Sequence, residues 1–357
     1  MKRVVIIGCG AVAYRWYFDG ILNSRDCEVA ALVDNNENAL QKAGKYLQSK
    51  NLYSSIEEFF DSGIIADIAL ILTQHSMHFE LIEKCLNQGL HVYSEKPFVE
   101  NVSDAEYLLN LAHQRDLLLA SAPQVKLSSR NQTVKKIISS GILGKIALVR
   151  ASGSNLGPAS REDTNYNPKW FYNDGGSLAS LGIYTLSLII YFFGTPSRIS
   201  SYAGIAFPER TVLFGPNRGE KFDVTAPDNQ IAILDYDDGM YVMFDGSYTI
   251  KHPMKYEFII HGEYGTLYVS GFGGKESIIL ETDEGKKPVG PEDSSHLKWN
   301  LFWGVDDLAK SIEENRDPVV SAEFAKEVIM VMETMHKSNQ HNQIISLKKE
   351  DEDGFKR

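Results

Sequence analysis

The sequence predicts an α/β protein in two parts: a doubly wound parallel sheet at the N-terminus, then an α+β domain with a large, mostly antiparallel open sheet. Three observations predict it. A short β-branched run at 4–7 is followed at once by glycines and then by a helical stretch. Apolar strand-like runs then alternate with helix-spaced runs over about 120 residues, the signature of parallel strands joined by crossover helices. After Gln124 the strand signals lengthen and alternate apolar with polar residues, as antiparallel strands covered on one face do.

Taken in order, the second strand runs over 29–33 and ends at Asp34, and Ala39, Leu40, Ala43 and Leu47 recur at helical spacing. The next buried strand is read over 64–72. Residues 78–86 read as a helix stopped by Gly89 and 91–93 as a strand. Ser103-Asp104-Ala105-Glu106 reads as a capping box opening a helix through Leu111. In the second part, strands are predicted over 231–236, 241–244, 256–260 and 266–269, with Asp237-Asp238-Gly239 as a hairpin turn. Phe324, Val328, Met332 and Met335 then form one helical stripe after Ser321, the ordinary pattern of a packed face. The expected domains are 1–123 and 124–347, with a charged tail over 348–357; the helix over about 322–337 is a candidate to pack back on the first domain.

Composition narrows the function classes. The 357 residues exceed one average core, which agrees with two domains. With 36 Lys plus Arg against 47 Asp plus Glu, a net charge of -11 and no basic run, neither nucleic acid nor an anionic membrane surface is an expected partner. The apolar run at 64–72 carries Asp67 and that at 186–193 stops at Gly194, so none approaches the roughly 20 residues of a membrane span. Three cysteines, Cys9, Cys27 and Cys85, lack metal-type spacing and make an odd count, which points to a reducing, cytoplasmic compartment. Lys2 and Arg3 before an apolar run ending in Ala11-Val12-Ala13 imitate a secretory signal, but cleavage there would remove a strand and loop that the following residues require.

Gly8-Cys9-Gly10-Ala11-Val12-Ala13 reads as G-x-G-x-x-A between a strand and a helix, and Asp34 answers it at the end of the next strand. Gly8 permits the tight turn, Gly10 lets backbone approach a pyrophosphate, and Ala13 allows close packing of helix on strand. Amides at the helix start, from Ala11 and Val12 onward, face the phosphates. The Asp34 carboxylate can accept hydrogen bonds from both adenosine ribose hydroxyls and would repel a 2'-phosphate. Asn35 and Asn36 follow it with no Arg, so NAD is the expected cofactor over NADP.

The segments Thr73-Gln74-His75-Ser76-Met77-His78 and Gly89-Leu90-His91-Val92-Tyr93-Ser94-Glu95-Lys96-Pro97 resemble the glucose-fructose oxidoreductase and inositol dehydrogenase family, Gfo/Idh/MocA. Residues 141–146, Gly175-Gly176 and the turn at 262–267 extend the likeness over most of the chain. The resemblance implies a Rossmann domain, a sheet domain carrying the substrate site, and reversible hydride transfer at a carbinol carbon of a sugar, cyclitol or sugar nucleotide. It implies that Lys96 lies beside the reacting hydroxyl. The chemistry agrees: removing hydride from a carbinol needs a base for its proton, and a cation favours the developing alkoxide. Where many members carry Asp and His four apart, this chain has Ser180 and Tyr184. It thus resembles the branch of glucose-fructose oxidoreductase and the dimeric dihydrodiol dehydrogenases, which implies Tyr184 as proton donor or acceptor with Lys96 as its electrostatic partner. Ser180, one turn before Tyr184, is a substrate contact.

Thr73, His75 and His78 are expected at the nicotinamide pocket, with no metal, because no carboxylate or cysteine accompanies the two histidines. Glu95 either holds the nicotinamide ribose, orients Lys96 or pairs with it. Cys9 fills space between two glycines. Lys126, Arg161 and Asn165 stand where the family often contacts substrate. The exposed face of the second sheet is a candidate surface for a homodimer or homotetramer. Two rival activities are a glycoside-cleaving enzyme that oxidises its sugar transiently with tightly held NAD, and a non-catalytic NAD-binding regulator.

Overall fold

A computed structural model describes residues 1–162, 166–271, 277–290 and 300–347. Its packing divides into two compact units, Met1–Ser128 with Lys298–Ile329, and Ser129–Leu297 with Met330–Arg357. The expected tail at 348–357 lies outside the described residues.

The first unit holds six strands: β1 (Lys2–Ile7), β2 (Cys27–Val33), β3 (Leu52–Tyr53), β4 (Ile68–Ile71), β5 (His91–Ser94) and β6 (Leu119–Ser121). They lie in the order β3-β2-β1-β4-β5-β6, and every pairing is parallel. The chain therefore winds outward in one direction from β1 to β3, crosses to β4 and winds the other way, which opens a crevice at the carboxyl ends of β1 and β4. Val4, Ile6, Leu32 and Leu70 enter the core on one face and Val5, Ile7, Ala31 and Ile71 that on the other. Burial on both faces explains why these strands read as unbroken apolar runs.

Three expectations change. The strand read over 64–72 begins only at Ile68, because Asp67 accepts hydrogen bonds from the Arg3 backbone amide at 2.7 Å and its Nε at 3.4 Å, fixing the entry of the chain. The helix read with Ser103 as its cap is capped two residues earlier and starts at Val102. Asn101 caps it by accepting from the Asp104 amide at 2.9 Å, and Ser103 donates to Asn101 instead. Residues 300–321, read as part of the second domain, group with the first unit, together with 322–329 at the start of the helix marked as a candidate to pack back on it. The cause is apolar burial: Phe302, Val305 and Leu308 share a core with Ile6 and Tyr93, and Ala322 and Ala325 share one with Val92 and Leu119.

In the second unit lie β7 (Ile146–Ser152), β8 (Arg198–Gly204), β9 (Glu209–Thr211), β10 (Lys221–Asp223), β11 (Asn229–Asp235), β12 (Tyr241–Asp245), β13 (Tyr256–Gly262), β14 (Thr266–Ser270), β15 (Ile278–Thr282), β16 (Gly285–Pro288) and β17 (Ile345–Ser346). Nine of them form one open sheet in the order β16-β15-β14-β13-β7-β12-β11-β8-β17, while β9 and β10 pair as a separate ribbon. Among the described residues only β7 and β12 run parallel in the large sheet. One face is buried through Val149, Ala151, Leu234, Val242, Phe244, Phe258 and Ile260. The other shows Tyr202, Ile231, Tyr241 and Met243 to solvent. The turn between β11 and β12 places Asp237 at φ 65° and Gly239 at φ 89°, as the hairpin signal required. The stripe of Phe324, Val328, Met332 and Met335 is buried on the helix Ala322–His341. Among the described residues no helix is long and apolar enough to cross a membrane.

Candidate active site

In the first unit the loop after β1 is fixed from two sides. Gly8 has φ 97°, and a Cβ on it would lie 2.8 Å from the Leu72 carbonyl carbon and 3.0 Å from the Thr73 nitrogen, so glycine is required by conformation and by the chain leaving β4. Gly10 is different. It is exposed and a Cβ there would meet nothing within 4 Å, so the protein's own packing does not ask for glycine. Open space over a backbone that must be approached closely is what a pyrophosphate uses, and the residues present fit a dinucleotide. Ala13 is fully buried in the core beneath. Ala11 and Val12 are exposed at the start of the helix, whose wide π turn spans Ala13–Tyr17.

Asp34, at the end of β2, accepts the Cys9 amide through Oδ2 at 2.7 Å and the Asn36 amide through Oδ1 at 2.8 Å. The carboxylate is thereby locked beside the glycine loop, and each oxygen keeps a lone pair for a ribose hydroxyl. Asn35 is exposed next to it. Cys9 is buried, and burial, helped by the Asp34 charge, pushes its thiol up to about 12, which keeps it protonated and inert.

Lys96 follows β5 at the carboxyl edge of the sheet, half-buried, with a cis bond to Pro97. Its backbone amide donates to Glu95 Oε2 at 2.9 Å, and the Tyr17 hydroxyl donates to Glu95 Oε1 at 2.7 Å. Glu95 and Tyr17 are both buried, so this carboxylate is held on both oxygens and orients the turn that carries Lys96. Burial pushes the Lys96 ammonium below its usual range, with the Glu95 charge opposing the push.

Thr73 is partly buried at the end of β4, and His75 places Nε2 3.3 Å from the exposed Glu100 carboxylate. His78, expected at the nicotinamide pocket, is instead fully buried under the same turn. Its Nδ1 lies 2.8 Å from the Pro97 carbonyl and its Nε2 3.3 Å from the Thr73 carbonyl, so the imidazole is enclosed between two loops and, when neutral, donates its single N–H to one of them. Burial pushes its pKa down to about 4. A base whose folded pKa lies below its unfolded value of about 6.5 stabilises the fold fully above that value and loses the contribution as pH falls toward 4. The unit is therefore expected to lose about 3 kcal/mol between pH 6.5 and 4 from this residue alone. Denaturant unfolding of His78→Gln should show a flatter pH dependence over that range; an unchanged slope would show that His78 is not the group responsible. Among the described residues no group of three His, Cys, Asp or Glu is placed to hold a metal ion.

Lys126, in a short turn after β6, rests its ammonium 3.7 Å from the Phe324 ring centroid. Burial lowers its pKa against the pull of Glu327 and Glu323.

In the second unit Tyr184 is partly buried in the first turn of the helix Ile183–Phe193. The π turn Leu178–Gly182 leads into that helix and contains Ser180, whose hydroxyl donates to the Gly176 carbonyl and meets the hydroxyl of Tyr248. Arg161 is exposed, and its charge bears on Tyr248. Asn165 lies outside the described residues.

Two family profiles cover most of the chain. The one described as the oxidoreductase family, NAD-binding Rossmann fold, matches residues 2–122, and the GFO/IDH/MocA C-terminal domain matches residues 131–268. The chain belongs to the GFO/IDH/MocA family. Among its relatives, the myo-inositol 2-dehydrogenase of Thermotoga maritima is 20% identical over 97% of this chain and 98% of its own. A trans-1,2-dihydrobenzene-1,2-diol dehydrogenase of Bos taurus is 26% identical over 80% of this chain and 79% of its own. The fold matches the WlbA dehydrogenase of Bordetella pertussis, solved in complex with NADH and UDP-GlcNAcA, with a TM-score of 0.78, 20% identity and coverage of 98% of this chain and 99% of that one. As a member of this oxidoreductase family the protein carries an NAD-binding Rossmann domain, and its dehydrogenase and reductase relatives agree with NAD(P)-dependent chemistry.

Tyr17, Tyr248 and the buried pair of Arg210 with Asp228 carry no signal in the sequence. Tyr17 and Glu95 are 78 positions apart, Ser180 and Tyr248 68, so no local spacing announces either contact.

Proposed function

We propose that this protein transfers hydride between nicotinamide and a secondary alcohol, or the matching ketone, of a sugar, cyclitol or sugar nucleotide. The observation that carries the reading is Lys96: a lysine at the carboxyl edge of the parallel sheet, its backbone fixed by a doubly held buried glutamate, its ammonium held below the ordinary range. Bound NAD supplies the hydride acceptor. Lys96 supplies positive charge where alkoxide develops, and Tyr184 takes or returns the hydroxyl proton at its Oη. A phenol acts as a base near neutral pH when a positive charge favours its phenolate, and Lys96 is the group assigned to supply that charge for Tyr184. The substrate class is supported by a relative named for myo-inositol and by a structural neighbour holding UDP-GlcNAcA.

NAD is preferred over NADP, because Asp34 stands where a 2'-phosphate would meet like charge. Asp34→Ser should weaken NADH binding about tenfold and narrow the preference over NADPH, read by nucleotide fluorescence titration. Tighter binding of NADPH by the wild type would refute this assignment. The exposed Tyr202, Ile231, Tyr241 and Met243 support a homodimer or homotetramer through that sheet face. Three free buried cysteines support a cytoplasmic location. The deciding experiment screens sugars, cyclitols and nucleotide sugars with NAD and NADP by absorbance of the reduced nicotinamide. Accumulating NADH supports the proposal, whereas glycoside cleavage without it would replace this reading with transient oxidation.

A further inference from the structure

The π turn Leu178–Gly182 contains one residue more than an α turn, with the Ile183 amide donating five residues back to the Leu178 carbonyl. Such a turn is costly to keep, and here it is pinned from outside by Tyr248. Each hydroxyl has one proton. Ser180 gives its own to the Gly176 carbonyl, so the proton between Ser180 and Tyr248 comes from the tyrosine. Burial holds the Tyr248 phenol well above its usual range, which keeps it a donor across working pH.

Tyr248 is itself fixed at every polar atom. Its amide donates to the Asp228 carbonyl at 2.7 Å, and its carbonyl accepts from Arg210 at 2.8 Å. Arg210 and the Asp228 carboxylate pair at 2.7 Å, both buried. The ring packs 5.1 Å from that of Tyr172. A hydroxyl delivered from so rigid a base sets the place of whatever it binds.

We propose that Tyr248 is a positioning residue: its hydroxyl, donated to Ser180, holds the π turn and so sets the rotation of Tyr184 about the helix axis. Relaxation of this turn to α geometry would displace the following face by about 100°. The inference rests on the reading of Tyr184 as the proton-transfer group.

The test compares the full-length wild type with Tyr248→Phe, which removes one oxygen, and with Ser180→Ala, which removes the other end of the bond and serves should the first variant fail to fold. Hydrogen exchange of residues 176–190 needs no substrate and is expected to quicken about tenfold or more in either variant, with NADH affinity unchanged. With the best carbinol from the screen, kcat should fall about 10²-fold at nearly constant KM, and the double variant should be no slower than the worse single one. Unchanged exchange would overturn the clamp whatever the activity. Faster exchange with unchanged kcat, or effects that multiply in the double variant, would overturn the positioning role. Wild-type turnover in Tyr184→Phe would instead sink the proton-transfer reading, and the exchange result would still judge the clamp.

Discussion

Lys96→Met is expected to lower kcat by about 10³-fold while NADH affinity stays within about threefold. The substitution keeps most of the side-chain volume and removes the ammonium with its charge and N–H donors, so the expected loss is the stabilisation of an alkoxide. Its backbone neighbours are untouched: Glu95 still accepts the amide of residue 96 and the Tyr17 hydroxyl. The dinucleotide contacts assigned to Gly8, Gly10 and Asp34 lie on other strand ends and should persist. Stopped-flow turnover and fluorescence titration of the same preparation separate the two effects. Equal loss of binding and rate would mean that Lys96 holds the cofactor rather than the reacting oxygen. Wild-type turnover would remove Lys96 from the chemistry, whereas NADH binding by a wild type that turns over none of the screened substrates would favour a regulator that only binds NAD.

The second large effect is on stability. Arg210→Met is expected to cost the second unit about 3 to 5 kcal/mol, because it leaves the Asp228 carboxylate buried without its cation. Two backbone amides, from Ala206 and Phe207, still donate to that carboxylate at 2.7 and 3.4 Å and soften the loss without cancelling a charge. Adding Asp228→Asn to Arg210→Met should therefore recover part of it, since an amide carries no charge to strand. Denaturant unfolding followed by far-UV circular dichroism reads this as a shift of one transition, the fold having two units. A single variant as stable as wild type, or a double variant worse than the sum, would show that the pair is not what holds the ribbon of β9 and β10 in place.

How much of this was legible in the sequence follows from what each signal depends on. The parallel sheet was readable because its strands are buried on both faces and must be apolar throughout, and because Gly8 and Asp34 sit where backbone conformation and strand ends dictate. Two- and three-residue strands such as β3 and β6 carry no periodicity and passed unnoticed. The start of the helix shifted where a cap two residues earlier, Asn101, competed with the box at Ser103. Lys96 could be singled out from its motif, but its support could not. Tyr17 looks like any helix aromatic until the fold brings it to Glu95, and His78 looks like a pocket residue until its ring proves enclosed between two carbonyls. Ser180 reads as a substrate contact one turn before Tyr184, and nothing in the local sequence shows that it is buried with its hydroxyl against that of Tyr248. Contacts between distant positions are set by packing, and one sequence does not display them.

The measurement that bears most directly on hydride transfer follows a label. The best substrate of the screen, carrying deuterium on its carbinol carbon, is mixed with the enzyme and NAD, and the reduced nucleotide is weighed by mass spectrometry. Hydride transfer from the carbinol gives one deuterium gained per NADH formed. Product or cleaved glycoside appearing while the nucleotide pool gains no deuterium would contradict it.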